Sequence, residues 1–211
     1  MPIDRLAHLR GQRAEPERRG GYRGFSMNPI WIIIAVNLAF YIGTLINRDV
    51  IYYLGLIPVE FTSHPWTIVT NMFIHAGFWH LFGNMLVLFF FGRALTMLVG
   101  ENKFLLVYFV GGIFGNILYL LLSEPLSIAV GASGAVYAIA GALVVMRPNT
   151  RVLLYFFIPM PLWLVVLVFF GIWSIPNFIP GVAWQAHIGG LVVGLIAGFF
   201  FRRRERSYYY R

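Results

Sequence analysis

Between residues 28 and 201 the chain is a succession of apolar runs, most of them near the ~20 residues that a helix needs to cross the hydrocarbon core of a bilayer. Few folds tolerate this pattern, because inside lipid every backbone polar group must be bonded within the protein. Helices are the economical answer. We place spans at about 28–46, 80–99, 104–122, 133–147, 152–172 and 184–201. The expected fold is an all-α polytopic membrane protein, a six-helix bundle. Composition agrees: only 11% of residues are charged, against about 25% in a soluble domain. The absence of cysteine excludes disulfides, thiol catalysis and thiolate metal sites.

The net charge of +8 raises the possibility of a nucleic-acid partner, so the placement of the charges matters. Residues 1–27 carry Arg5, Arg10, Arg13, Arg18, Arg19 and Arg23. They contain no apolar stretch followed by a small-residue cleavage site, so we read them as a basic cytoplasmic tail rather than a removable signal. Residues 202–211 form a second basic tail, and 28–201 the membrane domain between them. With the N-terminus inside, all but Arg48 of the 16 Lys and Arg residues fall on the inner side. This is the positive-inside distribution, and it puts both termini in the cytoplasm. Topology and contact with anionic lipid account for the charge without nucleic acid.

Three segments depart from a plain bundle. The connection at about 47–79 is long, apolar and aromatic (Tyr52, Tyr53, Phe61, Trp66, Phe73, Phe78, Trp79), which suits the outer membrane interface. The fourth span, from Ser133 to Arg147, is about 22 Å long at 1.5 Å per residue, shorter than the ~30 Å core. Its outer end should therefore lie below the membrane surface, with Gly131 and Ala132 as irregular backbone beside protein or a water-filled cavity. The uncharged, proline-rich segment 173–181 should form an apolar outer cap.

Polar side chains inside spans are costly and usually functional. The notable ones are His80, Asn84, Ser133, Tyr137 and His187. Spans two, four and six all run from outside to inside, so His80 and Asn84, Ser133, and His187 arrive at one depth from three helices. His187, Gly190, Gly194 and Gly198 form a stripe on span six. Ser133 or Gly134, Tyr137 or Ala138, Gly141 and Val145 form another on span four. Small residues let membrane helices approach closely, and packing these stripes brings Ser133 to His187. A serine at a helix start can simply cap it, and a lone histidine can simply bond a carbonyl. Their matched depth favours a nucleophile and its base. No acidic residue lies in a span to complete a triad, so His187 would be oriented by packing, including a stack on Tyr137. His80, Asn84 and the Ser133 backbone N–H are candidate donors to an oxyanion.

Three motifs in order, His75-x4-His80-x3-Asn84, Gly131-Ala132-Ser133-Gly134 and Ala186-His187-x2-Gly190-x3-Gly194, resemble those of the rhomboid family of intramembrane serine proteases. The resemblance covers about 28–201. It implies cleavage of transmembrane segments of membrane proteins near their outer end, without metal, nucleotide or other cofactor. Carried onto this chain, it implies Ser133 as nucleophile, His187 as base, His80 and Asn84 at the oxyanion, and Tyr137 in support of His187. Gly131, Gly134, Gly190 and Gly194 would serve close packing, and His75 a structural role. It further implies that span five and the following loop gate substrate entry. Two positions depart from the family pattern. Trp66-Thr67 stands where Trp-Arg is common, and Thr96 where Glu is common, which bears on the rigidity of the outer loop. The rival expectations are a rhomboid-like pseudoprotease that binds or escorts membrane proteins, and a transporter, which would show internal repeats or helices broken at mid-membrane. The expected location is a prokaryotic plasma membrane, with the site opening to the extracytoplasmic side.

Overall fold

The computed structural model describes residues 28–209 except 155, 156, 173 and 176–178, with side chains as far as Arg202. The tail assigned to residues 1–27 lies outside the described residues, as do parts of the expected 173–181 cap.

The first helix, α1 (Pro29–Ile46), starts where Asn28 caps it by accepting the Ile30 N–H (2.9 Å), with Pro29 supplying the fixed φ of a first turn. The outer connection follows as short pieces: α2 (Val50–Leu54), a 3₁₀ turn at Pro58–Glu60, α3 (Thr67–Thr70) and a second 3₁₀ turn at Asn71–Phe73. It is stitched by the Trp66 indole donating to the Tyr53 carbonyl (3.3 Å) and the Thr70 hydroxyl to the Leu54 carbonyl (2.8 Å). Tyr52, Tyr53, Trp66, Phe78 and Trp79 are exposed, a rim of aromatic rings of the kind that suits an interface.

The second long helix runs from Phe78 to Val99. It is α4 (Phe78–Val87) and α5 (Arg93–Val99) joined by a π-helical turn at Leu88–Gly92. Gly100, at φ +85°, ends it and opens α6 (Glu101–Leu122); this is backbone that favours glycine. Next comes α7 (Ser133–Met146), then the antiparallel hairpin β1 (Arg151–Leu154) and β2 (Ile158–Pro161). The chain continues in α8 (Leu162–Val165), which runs into a π-helical turn at Val166–Phe170, and ends in α9 (Trp184–Tyr209).

Among the described residues, four helices are long and apolar enough to cross a membrane: Pro29–Ile46, Phe78–Val99, Glu101–Leu122 and Trp184–Arg202. Their outer faces carry exposed Trp31, Ile42, Leu106, Leu121, Ile196 and Phe200, apolar surface that a lipid environment accommodates. The fourth expected span is present as α7, with 14 residues, and is short as anticipated. The fifth is corrected. Within the expected 152–172 helix, residues 152–154 and 158–161 lie instead in the two paired strands, in the register Arg151↔Pro161 and Leu154↔Ile158. Pro159 and Pro161 are the cause: each removes a helical N–H donor and clashes with the preceding turn. A short apolar run does not by itself distinguish strand from helix.

The core is α7, buried without a break from Gly134 to Leu143. It sits between α6 and α9 at distances that exclude side chains. A Cβ at Gly190 would meet the Gly134 carbonyl oxygen, one at Gly194 the Ala138 carbonyl oxygen, and one at Gly198 would lie 2.6 Å from the Ala142 oxygen. From the opposite helix, a Cβ at Gly141 would lie 2.8 Å from the Leu191 carbonyl oxygen. The two expected stripes are thus in contact along their length. At the far end of α7 the Arg202 guanidinium donates to the Val145 carbonyl (3.2 Å), a cation placed at the negative end of the helix dipole.

Candidate active site

Ser133 is the first residue of α7, and Ala132 holds the cap position, with no side-chain capping bond. The capping role is therefore not the one Ser133 plays. Its Oγ lies 2.9 Å from Nε2 of His187. That contact spans two helices, and the glycine-lined approach of α7 and α9 makes it possible. His187 is 6% exposed, and its ring stacks on Tyr137 (centroids 4.1 Å, interplanar angle 13°). The Tyr137 hydroxyl donates to the Phe170 carbonyl (3.0 Å), and the Phe170 ring meets Tyr137 edge-on at 4.7 Å. The Ser174 hydroxyl donates to the same carbonyl (2.8 Å). With the Ser133 hydroxyl donating, Nε2 is the acceptor and the neutral ring carries its proton on Nδ1. This is the tautomer that a base needs.

The turn before Ser133 is held in an unusual shape. Gly131 has φ +122°, where an L side chain is strained, and its N–H donates to the Asn71 carbonyl (2.8 Å). A Cβ built there would lie 2.7 Å from both Cε1 and Nε2 of His80. His80 thus packs against the serine loop itself. Asn84, 8% exposed, donates one amide hydrogen to the His80 carbonyl one turn earlier (2.8 Å), which leaves its second hydrogen for another acceptor. His75 is fully buried, packs its ring against His80 (centroids 5.0 Å) and makes no hydrogen bond through either nitrogen. Burial, aided by the neighbouring His80, lowers its pKa to about 3, so it stays neutral. Among the described residues no group of three or more His, Cys, Asp or Glu is arranged to hold a metal ion.

A small cavity of ≈ 10 Å³ adjoins Ser133, bounded by Asn71, Met72, Asn116, Gly131 and Ala186. That is room for about one water molecule. Asn71 and Asn116 escape a reading centred on the outer ends of the even-numbered spans. The signal was available: Asn116 is an amide in the middle of the apolar helix α6, a costly placement that asks for a reason. Phe170 and Ser174 had no comparable signal, because a backbone carbonyl partner leaves no trace in the pattern of side chains.

Residues 62–204 match the Rhomboid domain family model, more than half of the chain. The putative rhomboid protease YdcA of Bacillus subtilis is 34% identical over 174 residues, covering 76% of this chain and 79% of that protein. Rhomboid protein 1, mitochondrial, of Saccharomyces cerevisiae is 28% identical over 164 residues, 69% of this chain and 44% of that protein. Rhomboid protease GluP of Bacillus subtilis is 31% identical over 132 residues, 63% of this chain and 25% of that protein. The chain spans most of the first relative and less than half the length of the other two.

Proposed function

Since the chain belongs to the rhomboid family of membrane proteins, we propose that it is an intramembrane serine endopeptidase with Ser133 as nucleophile and His187 as general base. The observation that carries this reading is the 2.9 Å contact between Ser133 Oγ and His187 Nε2. A serine hydroxyl is a weak nucleophile until an adjacent base takes its proton.

The reaction follows from the groups present. As Oγ attacks the scissile carbonyl, its proton passes to Nε2. The tetrahedral oxyanion is met by the Ser133 N–H at the positive end of α7, by His80, and by the second amide hydrogen of Asn84. The imidazolium returns the proton to the departing amine, leaving an ester on Ser133. Water, deprotonated by His187, attacks that ester and releases the acid. The imidazolium formed midway meets the face of an aromatic ring in its stack on Tyr137. The substrates are transmembrane segments of membrane proteins that unwind near Ser133. The distribution of basic residues supports both termini inside and a site opening to the extracytoplasmic side; the membrane proposed is a prokaryotic plasma membrane.

The test uses protein purified in detergent or liposomes and a fluorescent single-span substrate. Cleavage should vanish in Ser133→Ala and in His187→Ala while both remain folded, with loss of at least about 10³-fold in kcat. Cleavage that survives Ser133→Ala would overturn the assignment. A parent that neither cleaves nor reacts with a fluorophosphonate would point to a pseudoprotease that binds membrane proteins.

A further inference from the structure

The turn that delivers Ser133 is fixed from outside α7. Gly131 N–H bonds the Asn71 carbonyl (2.8 Å), and two residues earlier Ala129 exchanges both backbone bonds with Leu56 (2.9 Å each). Residues 129–131 are therefore laid along the outer connection, and whatever holds that connection also holds the serine loop. Asn116 holds it from α6. It is 4% exposed in the middle of α6. Its amide donates to the Ile68 carbonyl (2.7 Å) and to Asn71 Oδ1 (2.8 Å), and its own Oδ1 accepts from Asn71 Nδ2 (3.0 Å). The Ile68 carbonyl can only accept, which fixes the amide orientation. Both hydrogens of the Asn116 amide are thus committed to the outer connection and not to a reacting group.

We propose that Asn116 is a positioning residue: clamped to Asn71 and Ile68, it sets the direction in which Gly131 leads the chain into Ser133 and against His80. The proposal rests on the reading of Ser133 as the nucleophile. Its physical basis is that a satisfied amide pair in a low-dielectric interior is rigid, whereas an unpaired buried amide is costly. Its chemical consequence falls on the transition state, where the Ser133 N–H and His80 must be aimed correctly at a developing charge. Neither of the two departures from the family pattern, Thr67 in the outer connection and Thr96 in α5, takes part in this clamp. Thr67 is occupied within the loop, donating to the His64 carbonyl (2.6 Å).

The experiment compares the full chain with Asn116→Leu and Asn116→Asp. Leucine keeps the branched outline and removes all three bonds. Aspartate keeps the shape and still accepts from Asn71, but donates nothing. For each, kcat and KM on the single-span substrate, the rate of fluorophosphonate labelling, and amide hydrogen exchange of peptides covering 128–134 and 184–200 are measured. For Asn116→Leu, kcat should fall about 30-fold with KM within about twofold, labelling should slow in proportion, and Asn116→Asp should fall between it and the parent. Exchange should rise in 128–134 and stay unchanged in 184–200. Exchange in 128–134 equal to the parent's would overturn the proposal, as would a rise in KM at constant kcat. A uniform rise in exchange across both segments in both variants would equally overturn it, since Asn116 would then serve general stability. A parent that neither cleaves nor labels defeats the Ser133 reading instead, and the exchange data still decide the clamp.

Discussion

The two sides of α7 are built differently. Toward α9, backbone meets backbone: Gly190 lies on the Gly134 carbonyl and Gly194 on the Ala138 carbonyl, while toward α6 Gly111 lies on the Ala138 methyl. Toward α8, contact is made by rings. Phe170 stacks on Phe91 (centroids 6.0 Å) and meets Tyr137 edge-on, while Trp163, Leu167 and Ile172 are exposed and a Cβ at Gly171 would have nothing within 4 Å. Backbone contacts cannot be relaxed by choosing another rotamer, so the distance from Ser133 to His187 is set by the chain itself. Ring contacts concentrated at one π-helical turn can be broken with few bonds lost. The elements carrying Ser133 and His187 are thus the closely packed part of the molecule, and the segment that adjoins them is held by fewer contacts, the kind of segment that opens locally at low cost.

A pair of glycine substitutions tests this contrast most severely. Gly194→Leu should force α7 and α9 apart, costing at least about 3 kcal/mol and abolishing cleavage. Gly171→Ala, in a helix with open space around it, should be neutral or add up to about 1 kcal/mol. Thermal unfolding in detergent reads both, and equal destabilisation would refute the division. Next in size is Tyr137→Phe. It keeps the stack on His187 and removes only the bond to the Phe170 carbonyl, which Ser174 still serves. A loss of about 1 kcal/mol and a fall in kcat of about fivefold or less are expected. A fall matching that of His187→Ala would show that the ring contacts, not the glycines, hold the base. The smallest effect belongs to Phe157→Ser at the exposed end of the hairpin, within about 0.5 kcal/mol in detergent. A larger shift would mean that the hairpin is anchored as firmly as α7.

Much of this arrangement is legible in the sequence, and the exceptions share a cause. Apolar run length marks α1, α6 and α9 because lipid demands it, and the glycine spacing on α7 and α9 predicts which helices touch. Ser133 and His187 follow from depth, since a polar group in a span needs a partner at its own level. The strands Arg151–Leu154 and Ile158–Pro161 defeat the same reasoning because run length ignores Pro159 and Pro161. The π-helical turn at Leu88–Gly92 leaves no such mark, and neither does the use of the Asn71 carbonyl, a backbone atom common to all residues. Asn116 lies between these cases: its amide is visible in the sequence, but its partners come from a connection whose path only the fold reveals.

Gly131 has a consequence in terms of handedness. At φ +122° its backbone lies where L side chains are rarely found, so the loop before Ser133 turns with the hand natural to a D-residue. The two α-hydrogens of Gly131 are therefore not equivalent. The one in the L side-chain position faces the His80 ring, and its mirror partner points away from it. The site relies on an achiral residue at a step where, as at Gly100, an otherwise L-configured chain takes on the opposite hand. A D-alanine introduced there by chemical ligation would suit the turn that an L-alanine cannot make.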